Sequence, residues 1–283
     1  MFGGGPHQQG STGISMRELD RELRSHISPD SPLAPGSSVG VVGAGRLGTV
    51  LARALRDAGR EVHGPVGRGV APAGEIVLLC VPDAEITAAA GAVAGTAGLV
   101  GHTSGATALA ALAPAAAAGA ELFGLHPLQT VARPGARLAG SGCAVAGSTP
   151  AATAAARDLA RTLGMMPFDL ADGDRAAYHA AASLASNFLV TLEDAAERMA
   201  GVAGLEPVAA RGHLHHLVRT TVENWADLGP EHALTGPVAR GDEATVRRQR
   251  SAVADAEPDL LPLFDVLVER TRALAARPAG AFS

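Results

Sequence analysis

Residues Gly43-Ala44-Gly45-Arg46-Leu47-Gly48 carry the most specific chemical signal in this 283-residue chain. They match G-x-G-x-x-G, where the first glycine permits a tight turn and the second lets the backbone approach a diphosphate. The third lets a helix close against a sheet. A helix opening at this point adds free N–H groups and a positive dipole end, both attractive to an anion. The pattern alone is common, so its setting decides. Val39-Gly40-Val41-Val42 before it reads as a short apolar strand, and Leu47 to Ala58 after it reads as a helix stopped by Gly59.

The choice between the two pyridine dinucleotides falls near the end of the next strand. A site for NAD places Asp or Glu there, about 20 residues beyond the first glycine, to accept from the ribose hydroxyls. This chain has His63-Gly64-Pro65-Val66-Gly67-Arg68 instead. Glu61 lies too early, and Arg68 is a cation suited to a 2′-phosphate. NADP is therefore expected over NAD.

In an open parallel sheet, reacting groups gather beyond the carboxyl ends of the strands. Val81-Pro82-Asp83, His102-Thr103-Ser104-Gly105 and His126-Pro127-Leu128 all fall at such ends. Val81, Pro82 and Ser104 join the cofactor set, and Asp83 reads as a helix cap. His126 is a candidate general acid because imidazole titrates near neutrality. His179, Ser183 and Asn187 recur every four residues along one face of a long helix and read as the lining of a cleft. Thr235 and Arg240 are candidates for a substrate carboxylate, with Asp242 the cap of the helix that follows. His213, His215 and His216 have no accompanying carboxylate or cysteine pattern and read as a solvated helix face, so no metal site is expected.

The elements holding these groups follow from hydrophobic pattern. Apolar strands alternate with helices from Val39 to Leu170, which implies an α/β Rossmann domain, doubly wound on a mainly parallel sheet. The stretch from His63 to Glu75 is rich in Pro and Gly, so that crossover is expected to be a loop. After Ala171 the strand signal stops, and four helices are expected: Asp172 to about Gly201, Glu206–Leu228, Asp242–Ala256 and Asp259–Ala276. The expected division is 1–37 as an extension and linker, 38–171 as the dinucleotide domain and 172–283 as a helical domain. A capping box at Ser15 and Glu18 suggests a short helix within the extension.

Composition narrows the function classes. The net charge of −5 gives no footprint for nucleic acid or an anionic membrane. All 23 basic residues are arginine, so lysine Schiff-base, lysine acid and P-loop chemistry are excluded. Cys80 and Cys143 sit in apolar strand-like runs and read as buried, reduced thiols. With no secretory signal visible, a cytoplasmic location is expected.

Taken together, these motifs resemble the Rossmann-like proteins with a C-terminal domain of unknown function. These are relatives of 6-phosphogluconate dehydrogenase, pyrroline-5-carboxylate reductase and ketopantoate reductase. The resemblance runs from about Ser38 to Arg277. It rests on Val41 to Gly48, Val81-Pro82-Asp83, His102 to Ala106, His126-Pro127-Leu128, Tyr178 to Ala182, Ser186-Asn187 and Leu234 to Gly241. It implies a 6-phosphogluconate-dehydrogenase-like helical domain, a homodimer packed through the long helix starting near Asp172, and an active site between the domains. It also implies a departure. Related hydroxy-acid dehydrogenases and ketopantoate reductases carry a catalytic lysine four residues before an asparagine, and Ser183 stands at that spacing before Asn187 here. Either His179 or His126 then donates the proton, or the substrate class differs.

The reading that follows is an NADP-dependent oxidoreductase of a small 2-oxo acid, with 2-dehydropantoate and hence pantothenate synthesis as the first choice. Asn187 and Ser104 would polarise the carbonyl, His179 or His126 would protonate it, and Ser183, Thr235 and Arg240 would bind substrate. Two alternatives stand beside it: a reductase of cyclic imines of the pyrroline-5-carboxylate kind, and a non-catalytic NADP-binding sensor or scaffold.

Overall fold

The computed structural model describes residues 37–133 and 135–277. The short helix expected around Ser15 lies outside them. Seven strands form one sheet: β1 (Val39–Val42), β2 (Val62–Val66), β3 (Ile76–Leu79), β4 (Leu99–His102), β5 (Glu121–Pro127), β6 (Gly142–Gly147) and β7 (Met166–Asp169). Their order is β2-β1-β3-β4-β5-β6-β7.

The helices on this sheet are α1 (Arg46–Asp57), α2 (Ile86–Ala92), α3 (Ala113–Ala117) and α4 (Pro150–Thr162). Strand residues divide between the two faces with period two. Val39, Val41, Ile76 and Leu78 pack with Leu51 and Leu55 of α1 and Leu159 of α4. Val42, Val77 and Leu79 pack on the opposite face with Ile86 and Ala90 of α2 and with Leu112. That alternation, apolar on both sides, is what forces helices onto both faces. β2 connects to β3 without a helix, as the Pro/Gly-rich segment implied.

Strands β1 to β5 are parallel, while β6 runs antiparallel to β5 and β7 parallel to β6. The reversal has a local cause. No crossover helix separates β5 from β6, so the chain simply turns back, whereas α4 carries it from β6 to β7 in a crossover. The direction of the chain changes sides about β1, so the carboxyl ends of β1 and β3 form the topological switch point where ligands bind in this architecture.

The described residues through Ser186 form one compact unit and those from Asn187 a second. In the first, a 3-10 turn (Asp172–Asp174) leads into α5 (Arg175–Ala182). Ser183–Asn187 is a π turn, so the 3.6-residue arithmetic that aligned His179, Ser183 and Asn187 does not hold across it. The second unit is all helical: α6 (Phe188–Val202), α7 (Pro207–Leu228), α8 (Pro230–Ala233), α9 (Glu243–Ala256) and α10 (Leu261–Ala275). The α6–α7 pair is tied by a two-pronged Arg211–Glu197 bridge at 2.8 Å, and α9–α10 by Arg250–Asp265 at the same distance. No helix among the described residues is long and apolar enough to cross a membrane.

Candidate active site

The glycine turn separates three demands. Gly43 has φ +103°, and a Cβ there would stand 2.3 Å from the Cys80 carbonyl oxygen, so the fold itself requires glycine. A Cβ on Gly48 would lie 2.0 Å from the Gly43 carbonyl, which is the close helix–strand approach the third glycine permits. Gly45 differs. Its φ is −73°, and a Cβ would meet nothing within 4 Å. Neither backbone nor packing calls for glycine there; the space in front of it does, if a ligand is to reach the backbone.

Gly45 is also the N-cap of α1 and offers no capping side chain, and the first turn holds no acid. The leading N–H groups of the helix are thus left without intrahelical partners. Beside them is a pocket of about 250 Å³ lined by Ala44, Gly45, Arg46, Thr49, Val50, Arg53 and Gly135. Leu47 packs back against the core. Val81, after β3, flanks the turn, its Cγ1 standing 3.3 Å from where a Gly43 side chain would begin, and Pro82 is exposed. Arg68 follows β2 with its side chain exposed, its guanidinium paired with Glu85. Asp83 does not cap a helix. Pro82 occupies that position, and Asp83 opens a 3-10 turn instead.

The second cluster lies at the carboxyl ends of β4 and β5. His102 is fully buried, and its Nδ1 accepts from the Ser104 N–H at 3.2 Å. Burial, aided by the Arg175 charge, lowers its pKa to about 4. The Ser104 hydroxyl is spent on its own loop: it donates to Thr107 Oγ1 at 2.9 Å and accepts from the Ala106 and Thr107 N–H groups at 3.2 and 2.9 Å. A hydroxyl has one donor and two acceptor sites, so none is left to polarise a carbonyl. Ser104 shapes the loop.

His126, near the end of β5, packs against Gly105 so closely that a Cβ there would be 2.8 Å from the imidazole. Its Nδ1 lies 2.7 Å from the phenolic oxygen of Tyr178 on α5, and the two rings meet edge to face. The His179 ring centroid is 6.4 Å from that of His126, and Phe168 closes on Tyr178 from β7. Burial first, then the His179 and Arg175 charges, lowers the His126 pKa to about 4. Burial raises that of Tyr178 to about 12. At neutral pH His126 is therefore uncharged, which removes it as an imidazolium acid, and Tyr178 keeps its proton.

Arg175 underlies this cluster and went unrecognised in sequence. It is buried, donates to Asp172 Oδ1 at 2.6 Å and reaches toward the Ser104 carbonyl at 3.5 Å, while Asp172 Oδ2 accepts from the Leu109 N–H. The pair ties the start of α5 to the loop after β4. Tyr178 was visible only as part of a motif. Its spacing of 52 residues from His126 gives no periodic signal.

Ser183 belongs to the π turn of the first unit. Asn187 opens the second unit, where Thr235 and Arg240 sit exposed in the loop between α8 and α9. Asp242 caps α9, accepting from the Thr245 N–H at 3.0 Å. His213, His215 and His216 are exposed on α7.

No curated protein matches the chain in sequence. Among solved structures, it is similar to a Bacteroides fragilis protein named as a candidate NADP oxidoreductase: 20% identity, TM-score 0.71, covering 84% of this chain and 98% of that one. A Thermotoga maritima protein matches over 84% and 98% at 22% identity and TM-score 0.66. The pyrroline carboxylate reductase of Plasmodium falciparum, solved with NADP bound, matches over 85% and 98% at 10% identity and TM-score 0.56. Residues 141–271 match the family model described as a domain of unknown function, DUF2520. The chain therefore has the Rossmann-like fold of these structures, and its residues 141–271 are similar to the DUF2520 family.

Proposed function

We propose that the chain is an NADP-dependent oxidoreductase that reduces a small 2-oxo acid, with ketopantoate the substrate to try first. The observation that carries the cofactor is Gly45: glycine stands where the protein's own atoms leave open space, at the uncapped start of α1. Open N–H groups, a positive helix end and flanking Arg46 and Arg53 suit a diphosphate. Arg68 would meet the 2′-phosphate. The NADP named with the Plasmodium falciparum protein supports the same choice.

When bound, the dinucleotide supplies the hydride. The protein must supply a proton to the oxygen that becomes negative. Tyr178 fits that role better than His126: its phenol stays protonated, and an alkoxide is basic enough to take a proton from an acid of pKa about 12. Neutral His126, 2.7 Å from the phenolic oxygen, would hold Tyr178 in place. Asn187 is proposed to orient the carbonyl, and Thr235 and Arg240 to hold the carboxylate. An imine nitrogen that gains an electron pair as hydride arrives would also take the phenolic proton, so the acidity of Tyr178 serves the oxo acid and the cyclic imine alike. Cys80 and Cys143 are free thiols that burial raises to about 12, which keeps them unreactive and outside the chemistry; a cytoplasmic location is part of the proposal.

The test has two stages. Titration with NADPH should quench fluorescence and raise the melting temperature, and ketopantoate should then drive oxidation of NADPH. A folded protein that binds NADPH but oxidises it with no 2-oxo acid would end the substrate assignment. Turnover of a cyclic imine in its place would move the assignment to that class, and binding without any turnover would favour a sensor.

A further inference from the structure

Arg68 is expected to meet a 2′-phosphate, yet its guanidinium already has an anion: Nη1 is paired with Glu85 Oε1. Topology explains how two residues 17 apart come together. Arg68 follows β2, Glu85 lies in the 3-10 turn after β3, and β1 runs between those strands. All three strands are parallel, so their carboxyl ends share one edge of the sheet. Neighbouring strands are about 4.8 Å apart, so the two loops joined by this pair are on the order of 10 Å apart across β1. The pair thus closes across the strand that ends in the glycine turn.

Its strength is modest. The two side chains are 68% and 33% exposed, and water screens such a pair. A phosphate monoester carries close to two charges and presents several oxygens to the guanidinium fork, so it competes for Arg68 effectively.

We propose that Glu85 sets how strongly the site prefers the 2′-phosphorylated dinucleotide, by occupying Arg68 until the phosphate displaces it. The proposal rests on the reading that the glycine turn receives a dinucleotide. Its logic is a difference between two ligands. With a 2′-phosphate, Arg68 must leave Glu85, whose carboxylate then faces a second anion. With a plain 2′-hydroxyl, the pair stays intact. Neutralising Glu85 therefore helps only the phosphorylated ligand. Glu85 acts through Arg68, as a positioning residue for specificity.

Binding of NADPH, NADH and adenosine 2′,5′-bisphosphate to the full chain should be measured for the wild type, Glu85→Gln, Glu85→Asp and Arg68→Gln, with melting temperatures recorded throughout. Glu85→Gln is expected to tighten NADPH and the bisphosphate about fivefold while NADH moves less than twofold. Glu85→Asp should return the ratio toward the wild-type value, a rescue that a merely structural role would not give. Arg68→Gln should weaken NADPH about tenfold and spare NADH. If both dinucleotides bind and Glu85→Gln leaves their ratio unmoved, or shifts both equally, the proposal falls alone. If the wild type binds neither, the dinucleotide reading falls and takes the proposal with it.

Discussion

Tyr178 and His126 have their acidities moved in opposite directions by the same cause, loss of water around a group that would become charged. The consequence for chemistry is a proton held on the phenol and kept off the imidazole. Replacing Tyr178 with Phe removes only the hydroxyl, so turnover should fall by about 10²-fold or more while NADPH affinity stays within twofold. Steady-state rates beside a nucleotide titration check it, and unchanged turnover would discard Tyr178 as the acid. His102 makes a second prediction, about stability. The unfolded chain protonates it near pH 6.5, whereas the folded chain resists until about pH 4. Between those values the unfolded state binds more protons, so stability is fully present above pH 6.5 and is lost as pH falls toward 4. The loss should reach about 3 kcal/mol for this fully buried ring. Denaturant melts from pH 7 to pH 4 should show it, and the slope should flatten in His102→Gln even if that variant is less stable at every pH.

At the level of elements, the β1–α1 turn separates folding from binding. Gly43→Ala forces a side chain into the left-handed region and onto the Cys80 carbonyl. It should cost about 2 kcal/mol or more, seen as a lowered melting midpoint. Gly45→Val places its side chain in open space on an ordinary backbone, so the midpoint should hold while NADPH affinity drops at least tenfold. Equal effects of the two substitutions on stability would contradict the assignment. The loops at the neighbouring strand ends are held by polar ties of the same practical kind. The Ser104 hydroxyl locks the turn after β4, and Asp172 with Arg175 fastens α5 to it, which is how Tyr178 comes to stand over His126.

For the whole molecule, the second unit carries several large apolar side chains on its surface. Phe188 and Val190 on α6 and Leu217, Trp225 and Leu228 on α7 are all more than half exposed. Leu217, Trp225 and Leu228 fall within one stripe of α7, the pattern of a face with a partner still to come. A second copy of the chain is the partner expected. Sedimentation should give a dimer, Leu217→Asp with Trp225→Asp should give a monomer, and a monodisperse wild-type monomer at micromolar concentration would refute the expectation. Trp225 is the sole tryptophan, so in the wild type, or in Leu217→Asp alone, its emission should shift on dissociation.

The sequence by itself determined the doubly wound class, the loop between β2 and β3 and the glycine turn. Each is written in short-range order: strand and helix periods, Pro and Gly density, and three glycines within six residues. The DUF2520 match lies over the part of the chain where strands give way to helices. Only the tertiary structure decided the reversal of β6, the sealing of the Ser104 hydroxyl and the burial of Arg175. It also decided the meeting of Tyr178 with His126 and of Arg68 with Glu85. Those outcomes depend on distances closed by chain returning from far along the sequence. A side chain's acidity and its free hydrogen-bonding sites are properties of the neighbours it acquires, and no local pattern records them.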